Sequence, residues 1–310
     1  EFLTDLGLEL ISERGGRVFP ASGKAPDVQR ALLQWNKRVG VQIKHSTPVD
    51  KILIQNERIT GVVSQGKKIP CDAVILATGG GSYPITGSTG DGYRLCESAG
   101  HTVIPVRQSL VPLVTSGGVA KRMAELNLRN VNVRMFVNGK KKREQFGEIV
   151  FTEFGVTGPA SLTLSGEAVD SLRSGQKVTL SLDLKPALDE KKLDARLQRD
   201  IAARGKEQIS SLLRGLVPRE MVPVCLDSIC MPADRPVCNI SAKERKRLGA
   251  WLKDFRLEVV GYRPFAEAII TAGGINTREI DPRTKESRKA SALLIIGELL
   301  DIQADTGASF

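Results

Sequence analysis

Three apolar runs end in small residues. Ala73-Val74-Ile75-Leu76-Ala77 enters Thr78-Gly79-Gly80-Gly81, Ala268-Ile269-Ile270 enters Thr271-Ala272-Gly273-Gly274, and Leu293-Leu294-Ile295-Ile296 enters Gly297-Glu298. In open α/β sheets, ligands bind outside the carboxyl ends of strands. Glycine there lets the backbone approach a ligand and reach positive φ. Glu298 and Asp301 follow the third run, where an acid can accept hydrogen bonds from sugar hydroxyls. Taken alone, each glycine pair is equally an ordinary turn. Gly87-Ser88-Thr89-Gly90-Asp91-Gly92 precedes an expected helix, whose free amides favour anions. It matches neither common phosphate-loop pattern, and Asp91 would repel a phosphate. It reads as a turn and helix cap.

Other chemistries find less support. The two histidines are His45, at an expected strand end, and His101, which follows Gly100 after a helix. There the charged form of His101 would suit the helix dipole. No G-x-S-x-G elbow accompanies them. Asp183/Asp189 and Asp301/Asp305 lack a second cue for glycosidase work. The five cysteines are odd in number, spread out and without C-x-x-C, so neither a disulfide framework nor a zinc cage is expected. They read as small hydrophobes in a reducing, cytoplasmic setting.

The elements that must position these residues are partly legible. Val28, Ala31, Leu32, Trp35 and Val39 form one helical stripe, with Asp27 as expected N-cap. Short strands are expected at Val41 to Lys44, Lys51 to Ile54 and Ile59 to Val63. The run at Ala73 to Ala77 suits a parallel strand buried on both faces. A helix is expected between Asp91 and Gly100. Val131 to Val137 alternates, and Asn138-Gly139 turns it back towards Ile149-Val150-Phe151. Lys177 to Leu184 reads as a strand. Leu193, Leu197 and Ile201, then Leu248, Trp251, Leu252 and Phe255, recur at helical spacing, with a capping box at Ser241 and Glu244. Leu257 to Tyr262 returns to strand.

The chain has 310 residues and a net charge of +10, with a sequence pI near 9.5. The length suits about two domains of roughly 150 residues. No run of 18 apolar residues is present, so no spanning helix is expected. The acid-bearing first residues do not read as a signal peptide. Aromatics are 5%, thin for base stacking, and Lys140 to Arg143 reads as a solvated hairpin tip, so nucleic acid is not favoured as a partner.

At this point a family resemblance becomes clear. Asp72 to Gly80, Ser82-Tyr83-Pro84, Gly87 to Tyr93 and Gly100-His101 resemble the BaiN/YhiN-type family of NAD(P)/FAD-dependent oxidoreductases. Arg17-Val18-Phe19-Pro20, Phe151 to Pro159, Thr271 to Gly274, Thr284 to Ser287 and Gly297 to Asp301 match in the same order. The resemblance implies an α/β fold: a Rossmann-like FAD-binding domain with an inserted β-rich domain and a nested helical subdomain. The expected boundaries are 1–105 and 265–310 for the FAD-binding domain, 106–186 and 255–264 for the β-rich domain, and 187–254 for the helical subdomain. It implies FAD as cofactor, NADH or NADPH as electron donor, and a small-molecule acceptor, an enone in some relatives. By position, Val49, Thr78, Gly79, Gly80, Gly297, Glu298 and Asp301 should contact FAD. Thr306 and Gly307 should lie near the flavin ring, with Arg17 and Tyr83 on the substrate side. No catalytic proton donor is assigned.

The chain also departs from the family pattern. It has no G-x-G-x-x-G, so a βαβ unit of roughly 30 residues is expected upstream. Its last residues, Thr306-Gly307-Ala308-Ser309-Phe310, differ from the family's Thr-Gly-Gly-aromatic-Asn, and Lys285 replaces a methionine. Two alternatives therefore stay open: an inactive or truncated copy, or a basic binding module without redox chemistry.

Overall fold

The computed structural model describes residues 2–12 and 18–302. After α1 (Phe2–Asp5), the strands β1 (Leu10–Ser12) and β2 (Val18–Pro20) pair antiparallel, and α2 (Ala25–Arg38) follows. The expected N-cap of α2 is corrected. Pro26 lies inside the first turn, where its missing N–H costs nothing, so the helix starts ahead of Asp27. The Asp27 carboxylate instead accepts the Ser22 hydroxyl at 2.6 Å. Val41 to Lys44 forms no strand, because no described strand pairs with it.

Next comes an antiparallel meander, β3 (Lys51–Gln55), β4 (Arg58–Ser64) and β5 (Lys67–Pro70). The short β6 (Val74–Leu76), α3 (Asp91–Ser98) and β7 (Val103–Ser109) complete the first half. The helix α3 and the glycine beyond its end are as the sequence predicts.

The middle of the chain holds β8 (Leu113–Thr115), β9 (Asn127–Val137), β10 (Lys140–Phe151), β11 (Gly155–Thr157), α4 (Pro159–Arg173) and β12 (Val178–Asp183). Four helices follow, α5 (Glu190–Ala203), α6 (Ile209–Arg214), α7 (Met221–Ile229) and α8 (Ala242–Lys253), and then β13 (Phe255–Tyr262). The six strands close into a barrel in the order β10-β11-β8-β13-β12-β9. Closure removes the exposed edges that an open antiparallel sheet must protect. The Asn138-Gly139 turn has φ of 49° and 77°, the paired positive values that a two-residue hairpin requires. Alternate residues of β9, Val131, Val133, Met135 and Val137, point into the barrel with Val178, Leu180 and Leu182 of β12. Helix α4 touches all six barrel strands, so it lies across a mouth of the barrel. Leu193 and Leu197 of α5 share this core with Leu248 and Leu252 of α8. The capping box forms as expected. The Ser241 hydroxyl accepts the Glu244 N–H, and the Glu244 carboxylate accepts the Ser241 N–H.

The last strands return to the first half. β14 (Ile270–Ile275) pairs antiparallel with β7, and β15 (Leu293–Ile295) pairs parallel with β6. A second core forms there, from Leu76, Tyr93, Leu95, Ile275, Leu293, Ile295 and Leu299. The expectation of burial on both faces fails at β6. Its central residue, Ile75, is 61% exposed, since no described element packs over that face of the β6–β15 pair.

Because Leu180 is fully buried and lines the closed barrel, Leu180→Ala should cost about 2–5 kcal/mol in a denaturant titration.

Candidate functional site

The carboxyl ends of β6 and β15 meet the start of β14, and two side chains tie them together. Glu298 Oε1 accepts the Thr271 N–H at 2.5 Å, and its Oε2 accepts the Gly80 N–H at 3.3 Å. Thr271 Oγ1 accepts the N–H groups of Gly81 at 2.8 Å and Ser82 at 3.1 Å. With both lone pairs taken, the Thr271 hydroxyl donates to Ser82 Oγ, 3.1 Å away. The amides of Gly80, Gly81 and Ser82, which lie outside any strand, and that of Thr271 in β14 are thus satisfied by one glutamate and one threonine.

The tie dictates small residues. A Cβ on Gly80 would meet Thr271 Oγ1, with Thr271 Cβ at 2.7 Å and Glu298 Cδ at 3.0 Å. A Cβ on Gly92, in the first turn of α3, would run into Thr78 Oγ1 and Leu299. The glycine after Asp91 therefore serves helix packing, in keeping with its reading as a structural turn. Gly273 and Gly274 are corrected. They lie at a bulge inside β14, where a Cβ would meet the backbones of Pro105 and Leu299. They admit neighbouring chain and do not end a strand.

The residues proposed from the sequence fall into three groups. Thr78, Gly79, Gly80, Gly297 and Glu298 come together at this corner. For Gly80 and Glu298, the groups described are engaged internally. The N–H groups of Thr78 and Gly79 have no partner among the described residues. Gly297 has φ of +74° and nothing within 4 Å of where a Cβ would stand. Asp301 donates its N–H to Ile275 O at 3.0 Å, while its carboxylate has no partner among the described residues. Val49 packs against the same core, and its neighbour Asp50 gives its carbonyl to Arg94 of α3 at 2.9 Å. Tyr83 stands at the edge, 43% exposed. Its φ is +50°, a strained value for a bulky side chain. The Tyr83 N–H donates to Phe265 O at 3.1 Å, and the Thr86 N–H donates to Tyr83 O at 2.8 Å, which holds it there. Arg17, Thr306 and Gly307 lie outside the described residues.

Sequence reasoning gave no role to Thr271 or Tyr93. The Tyr93 hydroxyl donates to Glu298 O at 3.3 Å. Burial, and then the nearby Glu298 charge, push Tyr93 up to about 12, so it stays protonated and structural. Neither role carries a local signal, because Thr271 and Gly81 lie 190 residues apart in the chain and Tyr93 and Glu298 lie 205 apart.

His101 also differs from its expected role. Its ring is buried, with Nδ1 3.1 Å from Glu279 and Nε2 2.8 Å from Ser287 Oγ. Burial pulls its pKa below the ordinary value of 6.5, against the opposing pull of Glu279. The neutral ring is thus the favoured form, and it does not serve the α3 dipole as a cation. For Glu279, burial opposes ionisation, but the Thr102 amide and hydroxyl with His101 outweigh it and hold the acid below 4.5. The Ser-His-Glu array resembles a hydrolytic triad in outline only. Ser287 Oγ also accepts the Lys289 and Ala290 amides at 3.0 Å each and is buried, so it is no free nucleophile.

A family model for the HI0933-like protein Rossmann domain matches residues 1–309. The chain belongs to this family. The Rossmann-like α/β fold and the flavoprotein oxidoreductase family expected from the motifs stand with it. The chain is 27% identical to the 3-dehydro-bile acid Δ4,6-reductase of Clostridium scindens, over 99% of this chain and 74% of that protein. It is 29% identical to the ribosomal RNA dihydrouridine synthase of Escherichia coli, over 76% of this chain and 56% of that protein. The Haemophilus influenzae synthase of the same name is 26% identical, over 95% of this chain and 73% of that protein. No helix among the described residues is long and apolar enough to cross a membrane.

Two outcomes follow from this geometry. Glu298→Gln replaces one acceptor oxygen by an NH2 group facing a backbone N–H, and should cost about 1–3 kcal/mol in thermal or chemical unfolding. His101 has a lower pKa folded than unfolded, so its contribution is complete above pH 6.5 and is lost as pH falls below that value. The melting temperature should drop between pH 7.5 and 5.5, and His101→Gln should flatten that drop.

Proposed function

We propose that this chain reduces a ring carbon–carbon double bond conjugated to a carbonyl, with FAD as cofactor and NADH or NADPH as electron donor. The strand-end corner carries the reading. Glu298 and Thr271 satisfy the amides behind the turn, which leaves the Thr78 and Gly79 amides and the Asp301 carboxylate without a partner among the described residues, beside the bare flank of Gly297. These groups fit a dinucleotide: amides for phosphate oxygens, an acid for sugar hydroxyls, and a glycine where the chain must come close. When bound, FAD supplies the hydride chemistry. The chain binds and orients it through these residues, with the Val49 main chain towards the adenine and Thr306 and Gly307 towards the flavin ring.

The names of the relatives support the acceptor class. A 3-dehydro-Δ4,6 steroid acid and the uracil ring of uridine share a ring double bond conjugated to a carbonyl. Reduction adds a hydride at the carbon β to that carbonyl and a proton at the α carbon. Tyr83 is our candidate for the substrate side, its hydroxyl hydrogen-bonding the acceptor carbonyl as charge builds there, and Arg17 is the second candidate for that side. The domain division 1–105 with 265–310, 106–186 with 255–264, and 187–254 belongs to the same reading. So does a cytoplasmic setting.

The chain mixed with FAD and freed of excess by gel filtration should retain flavin bands in the visible spectrum, and NADPH under nitrogen should bleach them. Asp301→Ala should weaken FAD binding about 10-fold or more, as loss of a charged hydrogen bond does. Tyr83→Phe should leave FAD bound and lower kcat with a cyclic enone by about 100-fold. A folded chain that stays colourless at high FAD overturns the reading.

A further inference from the structure

The positive charge of the molecule is not spread evenly. Residues 127–151, the β9–β10 ribbon, carry six cations, Arg129, Arg134, Lys140, Lys141, Lys142 and Arg143, against two acids, Glu144 and Glu148, a net +4 of the +10. From the sequence this reads as a solvated tip. The tertiary structure adds aromatic surface to it. Phe146 lies opposite Asn132 on the outward face of the ribbon and is 57% exposed. Phe136 lies on the same face opposite Lys141, with the Arg256 guanidinium 5.4 Å from its ring centroid. Four residues of strand separate the two positions, about 13 Å.

Beside Phe146 the barrel and the start of the helical segment leave a cavity of about 690 Å³, lined by Arg129, Phe146, Lys185, Pro186 and Arg196 among others. A smaller hollow of about 270 Å³ adjoins it against the same Arg129 and Lys185. Lys185 is half-buried, and no carboxylate meets its ammonium group among the described residues. Burial, and then Arg196, push its pKa down. Arg129 likewise has no ion-pair partner among the described residues, while Arg196 has Asp200 at 3.5 Å. Partly burying a cation without a counter-charge is costly, and an incoming anion removes that cost.

We propose that this groove binds single-stranded nucleic acid. One base stacks on Phe146, its phosphates meet Arg129, Lys185 and Arg196, and the strand runs on over the ribbon towards Phe136 and the tip lysines. A positive groove with interleaved aromatic faces is the arrangement that holds unpaired strands. The ribbon carries more cations than a lone nucleotide's phosphate can use, and a duplex offers no free base face to Phe146. The inference does not depend on the redox reading, since its groups are separate from the strand-end corner and its test needs no flavin.

The test is fluorescence anisotropy of a labelled 12-mer oligouridylate with the 310-residue chain across a salt series. Phe146→Ala should weaken binding about 10-fold, within the range that removal of a stacking ring produces. Arg129→Ala with Arg196→Ala should weaken it as much or more, and lower the slope of log K against log salt by about 1.4, roughly 0.7 for each lost phosphate contact. Lys142→Ala, at the exposed hairpin tip, should weaken binding and cannot disturb the core. Lys67→Ala with Lys68→Ala, on the exposed β5, removes the same charge elsewhere and should leave binding unchanged. The proposal is overturned if the 12-mer does not bind, if Phe146→Ala binds as well as the parent, or if the β5 pair matters as much as the groove pair. Uridine monophosphate competing as well as the 12-mer would also overturn it, in favour of a mononucleotide site.

Discussion

Everything at the strand-end corner depends on one carboxylate. Glu298 takes amides from Thr271 and Gly80, segments that lie 27 and 218 residues away in the chain. Buried N–H groups at a turn have no ladder to join and must find an acceptor or remain a cost. A single ionised side chain with two oxygens serves both, and charge-assisted bonds are the stronger kind. Thr271 completes the arrangement from the other side by capping Gly81 and Ser82. The glycines then follow, because Gly80 and Gly92 leave no room for a side chain between the turn, the threonine and Leu299.

This tie has to be built from both ends of the chain. β6 comes from the first quarter and β15 from the last, and their parallel pairing brings the turn after Leu76 beside Gly297. The barrel and four helices that lie between them in sequence have a core of their own, separate from the one under the corner. The middle of the chain can therefore close on itself without drawing on the contacts that shape the corner. It also presents a different surface. The corner gathers amides and an acid that have no partner among the described residues, whereas the barrel's β9–β10 ribbon gathers cations, the exposed Phe146 and the half-buried Phe136.

Local chemistry was the part that could be read in advance. Asn138-Gly139 gives a two-residue turn because both positions accept positive φ, whatever surrounds them. Ser241 and Glu244 cap α8 because the partners are three residues apart. The end of α3 is local as well, since Gly100 takes the positive φ of +87° beyond the last turn, whereas its start at Gly90 has no side-chain cap. Where a partner has to come from elsewhere in the chain, residue type and spacing do not specify it. Val41 to Lys44 has strand-like residues and no strand to pair with. Ile75 sits in a run typical of a fully covered strand and is open on one side. His101 has the place of a helix-end cation, but Glu279 and Ser287, 178 and 186 residues on, close over it, and burial favours its neutral form.

By itself the sequence determined the kinds of element, the turns and caps between them, and the ordered motifs that mark the family. It brought Thr78, Gly79, Gly297, Glu298 and Asp301 forward as residues of interest. Only the tertiary structure decided which of them are spent inside the fold and which have no partner among the described residues. Motifs record residue type and spacing along the chain, but hydrogen bonds are satisfied in space. The acceptor for Gly80 and the side chain that closes on Gly81 are set by how β6, β14 and β15 converge.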